Sequence, residues 1–80
     1  MNWMKGLDKR KAYENLANAI IEQAANDFRE AKRRLRKNAR DAEAEKIYRE
    51  VKRFFRSAWF SRLTSLDSEL LLEKLEEEFA

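Results

Sequence analysis

Apolar residues recur along the chain at the spacing of a helix surface. Between Asp8 and Lys37, the residues Tyr13, Leu16, Ala17, Ile20, Ala24, Phe28, Ala31 and Leu35 follow one another every few positions. At about 100° per residue they fall in one arc, roughly a third of the circumference, as in a helix that faces a core. No Gly or Pro interrupts the run. At about 1.5 Å per residue such a helix is on the order of 45 Å long, so other segments must fold back along it. Asp8 is positioned to cap it. Met1 to Leu7 shows no period and predicts a frayed start, with Trp3 a candidate to dock on the bundle.

The next segment, Asn38-Ala39-Arg40-Asp41, predicts a turn. Either Asn38 or Asp41 can cap the second helix. That helix is expected from about Ala42 to Arg56, with Ala44, Ile47, Tyr48, Val51, Phe54, Phe55 and Ala58 on one arc and Lys46, Arg49, Arg53 and Arg56 on the other. Ser57 then caps a short third helix carrying Trp59, Phe60 and Leu63. Thr64-Ser65-Leu66-Asp67 is the next break, with Asp67 as cap. The last helix presents Leu71, Leu72, Leu75 and Phe79 on one side, while Leu70 points elsewhere. Strand patterns and internal repeats are absent from the sequence. The expectation is a single all-α domain: a small helical bundle with two long antiparallel helices, a short corner helix and a closing C-terminal helix. Its core should be anchored by Leu16, Ile20, Phe28, Val51, Phe55, Leu71 and Leu75.

Eighty residues bury only a modest core. Cys and His are both absent. Thiolate and imidazole chemistry, and disulfides, are thereby excluded. With a single Gly there is no glycine-rich phosphate loop. Glu76, Glu77 and Glu78 could in principle serve acid–base chemistry or a hard cation, but a terminal helical turn does not converge oxygens on one point. A catalytic role, a cofactor and a metal are therefore not expected. No apolar run approaches the roughly 20 residues of a membrane span. The N-terminal residues are too few and too polar for a secretory signal, so the expected setting is cytoplasmic.

The net charge of +3 conceals an asymmetry. Residues 1–40 hold eleven Lys and Arg against five Asp and Glu, whereas residues 41–80 hold seven against ten. From Arg29 to Arg40 there are seven cations and one acid. Helix-dipole and i,i+4 effects account for only part of that run. Arg29, Arg33, Arg36 and Arg40 form one basic stripe; Arg49, Arg53 and Arg56, with Lys46, form another. Either could follow phosphates, and either could equally be the wet side of an amphipathic helix. The stripes face away from the shared core and approach each other only at the turn. A helix-turn-helix reading of Phe60 to Leu75 fails, because its second helix would bring Asp67, Glu69, Glu73 and Glu76 to DNA. The acidic end, Asp67, Glu69, Glu73, Glu76, Glu77 and Glu78, is instead a candidate surface for a basic partner. Stability does not account for Glu76 to Glu78, which sit where the helix dipole disfavours them. Four aromatics, Phe54, Phe55, Trp59 and Phe60, lie within seven residues. Phe55 and Ala58 fit the core arc. Trp59 and Phe60 cannot both be buried by one short helix, so one of them, together with Leu70, is expected to form an apolar contact surface.

Leu16-Ala17-Asn18-Ala19-Ile20-Ile21, Phe54-Phe55-Arg56-Ser57-Ala58-Trp59-Phe60 and the Leu63-Thr64-x-Leu66-Asp67 break resemble short helical open reading frames carried by phages and mobile elements of Firmicutes. The likeness spans roughly residues 13–75. Those proteins often read Asn-Pro where this chain has Asn38-Ala39, and a Gly where it has Ser68. The resemblance implies a mobile-element origin and no catalytic residues. Together with the surfaces, it implies a non-enzymatic protein that binds a host or element-encoded protein. One concrete version is an inhibitor of a host defence nuclease of the CRISPR type, docking by its basic edge or, as a nucleic-acid decoy, by its acidic tail. The competing expectations are a nucleic-acid-binding accessory protein making weak contacts through the basic stripes, and a structural homodimer joined by the spare apolar residues.

Overall fold

The structure, a computed structural model, describes residues 9–80. The expected Asp8 cap, the frayed start and the docking of Trp3 lie outside those residues. Four helices occur in order: α1 (Lys9–Lys37), α2 (Ala42–Phe55), α3 (Ala58–Leu63) and α4 (Ser68–Glu77). The described residues contain no strand, and the all-α architecture is as expected.

Each break is made by a polar side chain that captures free backbone groups. In the first turn the Asn38 Oδ1 accepts from the Arg40 amide at 3.0 Å, and the Asp41 amide donates to the Asn38 carbonyl at 3.1 Å. Asp41 is then the N-cap of α2, its Oδ1 accepting from the Ala44 amide at 3.0 Å. Asn38 therefore shapes the turn and Asp41 caps the helix. Ser57 caps α3 through its Oγ, which accepts from the Phe60 amide at 3.2 Å and donates to the Phe54 carbonyl at 2.7 Å. Asp67 caps α4, accepting from the amides of Glu69 and Leu70. No described residue has a positive φ.

The pairs Arg34–Asp41, Phe28–Tyr48 and Tyr13–Arg62 advance along one segment as they retreat along the other. The α1–α2 hairpin is therefore antiparallel, with α3 continuing the direction of α2. α4 returns along α2, as the pairs Arg56–Glu69 and Tyr48–Glu76 show. The core lies where α4 closes the hairpin. It comprises Ile21, Ala25, Phe28, Val51, Phe55, Phe60, Leu72 and Leu75. Among the described residues no polar side chain is buried.

Four core assignments need correction. Leu16 is 62% exposed, and Ile20 and Leu71 are only half-buried. Ala58, expected on the core arc, is exposed. The physical reason is the side on which α4 packs. It lies against the flank of α1 that carries Ile21, Ala25, Arg29 and Lys32, so the buried sector of α1 is rotated toward that flank. The opposite flank, with Tyr13, Leu16 and Ile20, is left uncovered. Phe28, Val51, Phe55 and Leu75 are buried as expected.

A candidate protein-binding face

The charged side chains divide into those that hold the fold together and those that do not. Arg34 is the centre of the first group. Its Nε and Nη2 donate to the two Asp41 carboxylate oxygens, each at 3.0 Å, and its Nη1 reaches Glu43 at 3.1 Å. The fork thus staples the end of α1 to the start of α2. The Ala44 amide and the Arg34 guanidinium together hold the Asp41 carboxyl below the usual carboxylate range, and the two acids raise the Arg34 guanidinium.

α4 is held in the same manner. Arg29 Nε donates to Glu78 Oε1 at 2.8 Å and its Nη2 to Glu78 Oε2 at 3.0 Å. This pairing lowers the Glu78 carboxyl and raises the Arg29 guanidinium. Glu76 accepts from the Tyr48 hydroxyl at 3.0 Å and pairs with Lys32 at 3.3 Å. The Tyr48 ring carries Lys32 and Lys52 ammonium groups 4.9 and 4.7 Å from its centroid. Arg56 meets Glu69 at 3.1 Å, and Lys74 meets Glu77 at 3.6 Å.

These contacts redistribute the surfaces expected from the sequence. Of the seven basic candidates, Arg29 and Arg56 are engaged with α4, while Arg33 pairs with Glu30 and Arg49 with Glu45. Arg36, Arg40 and Arg53 are exposed and in no ion pair with a described residue. Arg36 and Arg40 stand with Lys37 at the hairpin tip. Of the acidic candidates, Glu69, Glu76, Glu77 and Glu78 are paired within the chain, Asp67 is a helix cap, and Glu73 alone has neither role. Three of these six acids, Glu69, Glu76 and Glu78, tie α4 to the hairpin, although all six remain exposed.

The apolar candidates part company as well. Phe60 is 1% exposed, packed edge-on against Phe54 and Phe55 at 5.8 and 5.4 Å between ring centroids, and so is not a contact surface. Trp59, its neighbour, is 57% exposed and rests edge-on against Phe54 at 5.7 Å. Leu70 is exposed on the outer side of α4, apart from the groove beside Trp59.

That groove runs along the hairpin flank that α4 leaves open. It encloses about 250 Å³ and is lined by Ile20, Ala24, Val51, Phe54 and Trp59, with Gln23, Asp27 and Glu50 at its edges. Leu16, exposed and four residues before Ile20, lies one turn further toward the N-terminal end of α1 on the same side of that helix. The sequence placed Leu16, Ile20, Ala24 and Phe54 on apolar arcs but assigned them to the core. It had no signal for the side on which α4 would pack. A larger cleft of about 560 Å³ lies between the first turns of α1 and the α3–α4 corner, lined by Arg10, Glu14, Asn18, Arg62 and neighbouring residues. It contains no buried charged or polar side chain to orient a ligand.

Among the described residues no group of three or more potential metal ligands converges, and no helix is long and apolar enough to cross a membrane. No family model, no curated protein and no solved structure matches the chain.

Proposed function

We propose that this is a non-enzymatic interaction protein that acts in the cytoplasm by binding another protein through the open flank of the α1–α2 hairpin. The observation that carries this reading is the open apolar groove of Ile20, Ala24, Val51, Phe54 and Trp59, with Trp59 more than half exposed and with Leu16, also more than half exposed, one helical turn before Ile20 on α1. A small helical domain gains stability by burying such residues, and a contiguous exposed set with a polar rim is characteristic of an interface. The resemblance to phage and mobile-element reading frames supplies the setting, in which inhibition of a host defence nuclease complex is the role we favour. The apolar flank supports that role better than the acidic tail, whose glutamates are engaged within the chain.

Site-specific photocrosslinking tests the reading. A photoreactive residue at Leu16 should trap a discrete protein in cells that encode this chain, and Trp59→Lys should abolish the adduct while leaving the helical spectrum intact. A photoreactive residue at Asn26, on the outer side of α1, should trap nothing. Equal trapping at both positions would refute the proposal.

The exposed cluster of Arg36, Lys37 and Arg40 favours a second reading, weak nucleic-acid contact at the hairpin tip.

A further inference from the structure

The two flanks of the hairpin differ in the sign of their rims. The flank that α4 covers is bordered by Arg29, Lys32, Lys52 and Arg56, and the helix that fills it brings Glu69, Glu76 and Glu78 to three of them. α4 inserts Leu72 and Leu75 between α1 and α2, and its carboxylates close the edges. The open groove is lined with charge of the opposite sign. Its charged lining is Asp27 at the α1 edge and Glu50 at the α2 edge, with no cation between them. Neither carboxylate forms an ion pair with a described residue; Asp27 accepts only from Gln23, four residues earlier on the same helix, at 2.9 Å.

We infer that the open groove takes a basic amphipathic helix of a partner protein, resting on the protein-binding reading above and naming the chemistry of its partner. Two antiparallel helices present a groove into which a third helix sets apolar side chains at i, i+3 or i+4, and i+7. Here those side chains lie between Ile20 and Ala24 on one side and Val51 and Phe54 on the other, with Trp59 closing the end. Lys or Arg flanking that apolar face on both sides meets Asp27 on one edge and Glu50 on the other, as α4's glutamates meet the cations of the covered flank. A second copy of this chain fits less well. Its own open face would bring another Asp27 and Glu50, and its α4 is acidic with its leucines already buried.

Two synthetic peptides of roughly 18 residues, about five helical turns, make the test. They share one leucine face and differ only in flanks of Lys or of Glu. Each carries a fluorescent label, and binding to the full chain is read by anisotropy. The Lys peptide should bind about tenfold more tightly than the Glu peptide at low ionic strength, the preference narrowing as salt screens the rim. The double variant Asp27→Lys/Glu50→Lys, checked for an unchanged melting curve, should reverse the preference. Trp59→Lys should abolish binding of both peptides. If the two peptides bind equally and both are lost in Trp59→Lys, the face binds helices but the basic assignment is wrong. If neither binds, the protein-binding reading fails with it. If sedimentation shows the parent to be a dimer that Trp59→Lys renders monomeric, the occupant is a second copy and the inference is overturned.

Discussion

The Asp41 carboxylate does two things at once, and substitution can separate them. It caps α2 at the Ala44 amide and receives the Arg34 fork across the turn. Asn caps nearly as well as Asp but offers no charge. Asp41→Asn should therefore lower the melting temperature modestly, and Asp41→Ala, which loses cap and fork together, should lower it further. Calorimetry or far-UV circular dichroism would rank them; an Asp41→Asn variant that melts like the parent would mean that the charged fork contributes nothing, and equal melting of the two variants would mean that the cap contributes nothing. The pH dependence has a definite sign. The carboxyls of Asp41 and Glu78 titrate lower in the folded chain than in the unfolded one. Their stabilisation is thus present above the unfolded value, about 4, and is lost as pH falls through the lower folded values. Stability should be level near neutrality and decline below about pH 4, with the Asp41→Asn/Glu78→Gln variant declining less. A second contrast at this scale concerns α1. Phe28 is fully buried, and Phe28→Ala should cost about 3–5 kcal/mol, a large part of the stability of so small a domain. Leu16, at 62% exposure, should tolerate Ala within about 0.5 kcal/mol. A large loss at Leu16 would restore it to the core and remove the open flank.

At the scale of the helix, α4 is the element that converts a hairpin into a domain. It contributes Leu72 and Leu75 to the core and secures its edges by Arg29–Glu78, Lys32–Glu76 and Arg56–Glu69. The placement of Glu76 and Glu78 at a helix C-terminus, unfavourable by the dipole alone, finds its account in two of those pairs, while Glu77 pairs with Lys74 on its own helix. Replacing all three by Gln should lower the melting temperature by no more than a few degrees, because the pairs are exposed. The difference from the parent should shrink as salt is added. A difference that persists in high salt would point to a cause other than charge, since Gln at position 76 still offers an oxygen to the Tyr48 hydroxyl. The packing of α4 also marks the limit of what local sequence encodes. The turn and caps at Asn38, Asp41, Ser57 and Asp67 were legible because each acts within a few residues of itself. The antiparallel hairpin was legible because helix length and the position of one turn leave little choice. The buried face of α1 was only half legible. Both flanks of its arc are apolar, and no local feature records that α4 would cover Ile21 and Ala25 rather than Leu16 and Ile20. The same gap hid the Arg29–Glu78 and Lys32–Glu76 pairs, whose partners are more than 40 residues apart in the chain.

Across the whole molecule, pairing within the chain reduces a conspicuous basic sequence to a small basic surface. Of the seven cations between Arg29 and Arg40, four are engaged: Arg29 and Lys32 with α4, Arg34 with the turn and Arg33 with Glu30. Arg36, Lys37 and Arg40 remain at the tip, exposed and without a carboxylate partner among the described residues. The tip stands at the far end of the hairpin from Trp59, so the two surfaces can be tested independently. The number of cations available to phosphate fixes the salt dependence of any binding to DNA, at about 0.9 logarithmic unit per phosphate neutralised. A tip of three cations should give a log–log slope of about −3, whereas seven free cations would give about −6. Arg36→Ala/Arg40→Ala should bring the slope to about −1, and Trp59→Lys should leave it unchanged. A parent slope near −6 would mean that the ion pairs holding α4 open in favour of phosphate. A parent slope near −3 that the double tip variant fails to reduce would place the contact elsewhere on the surface.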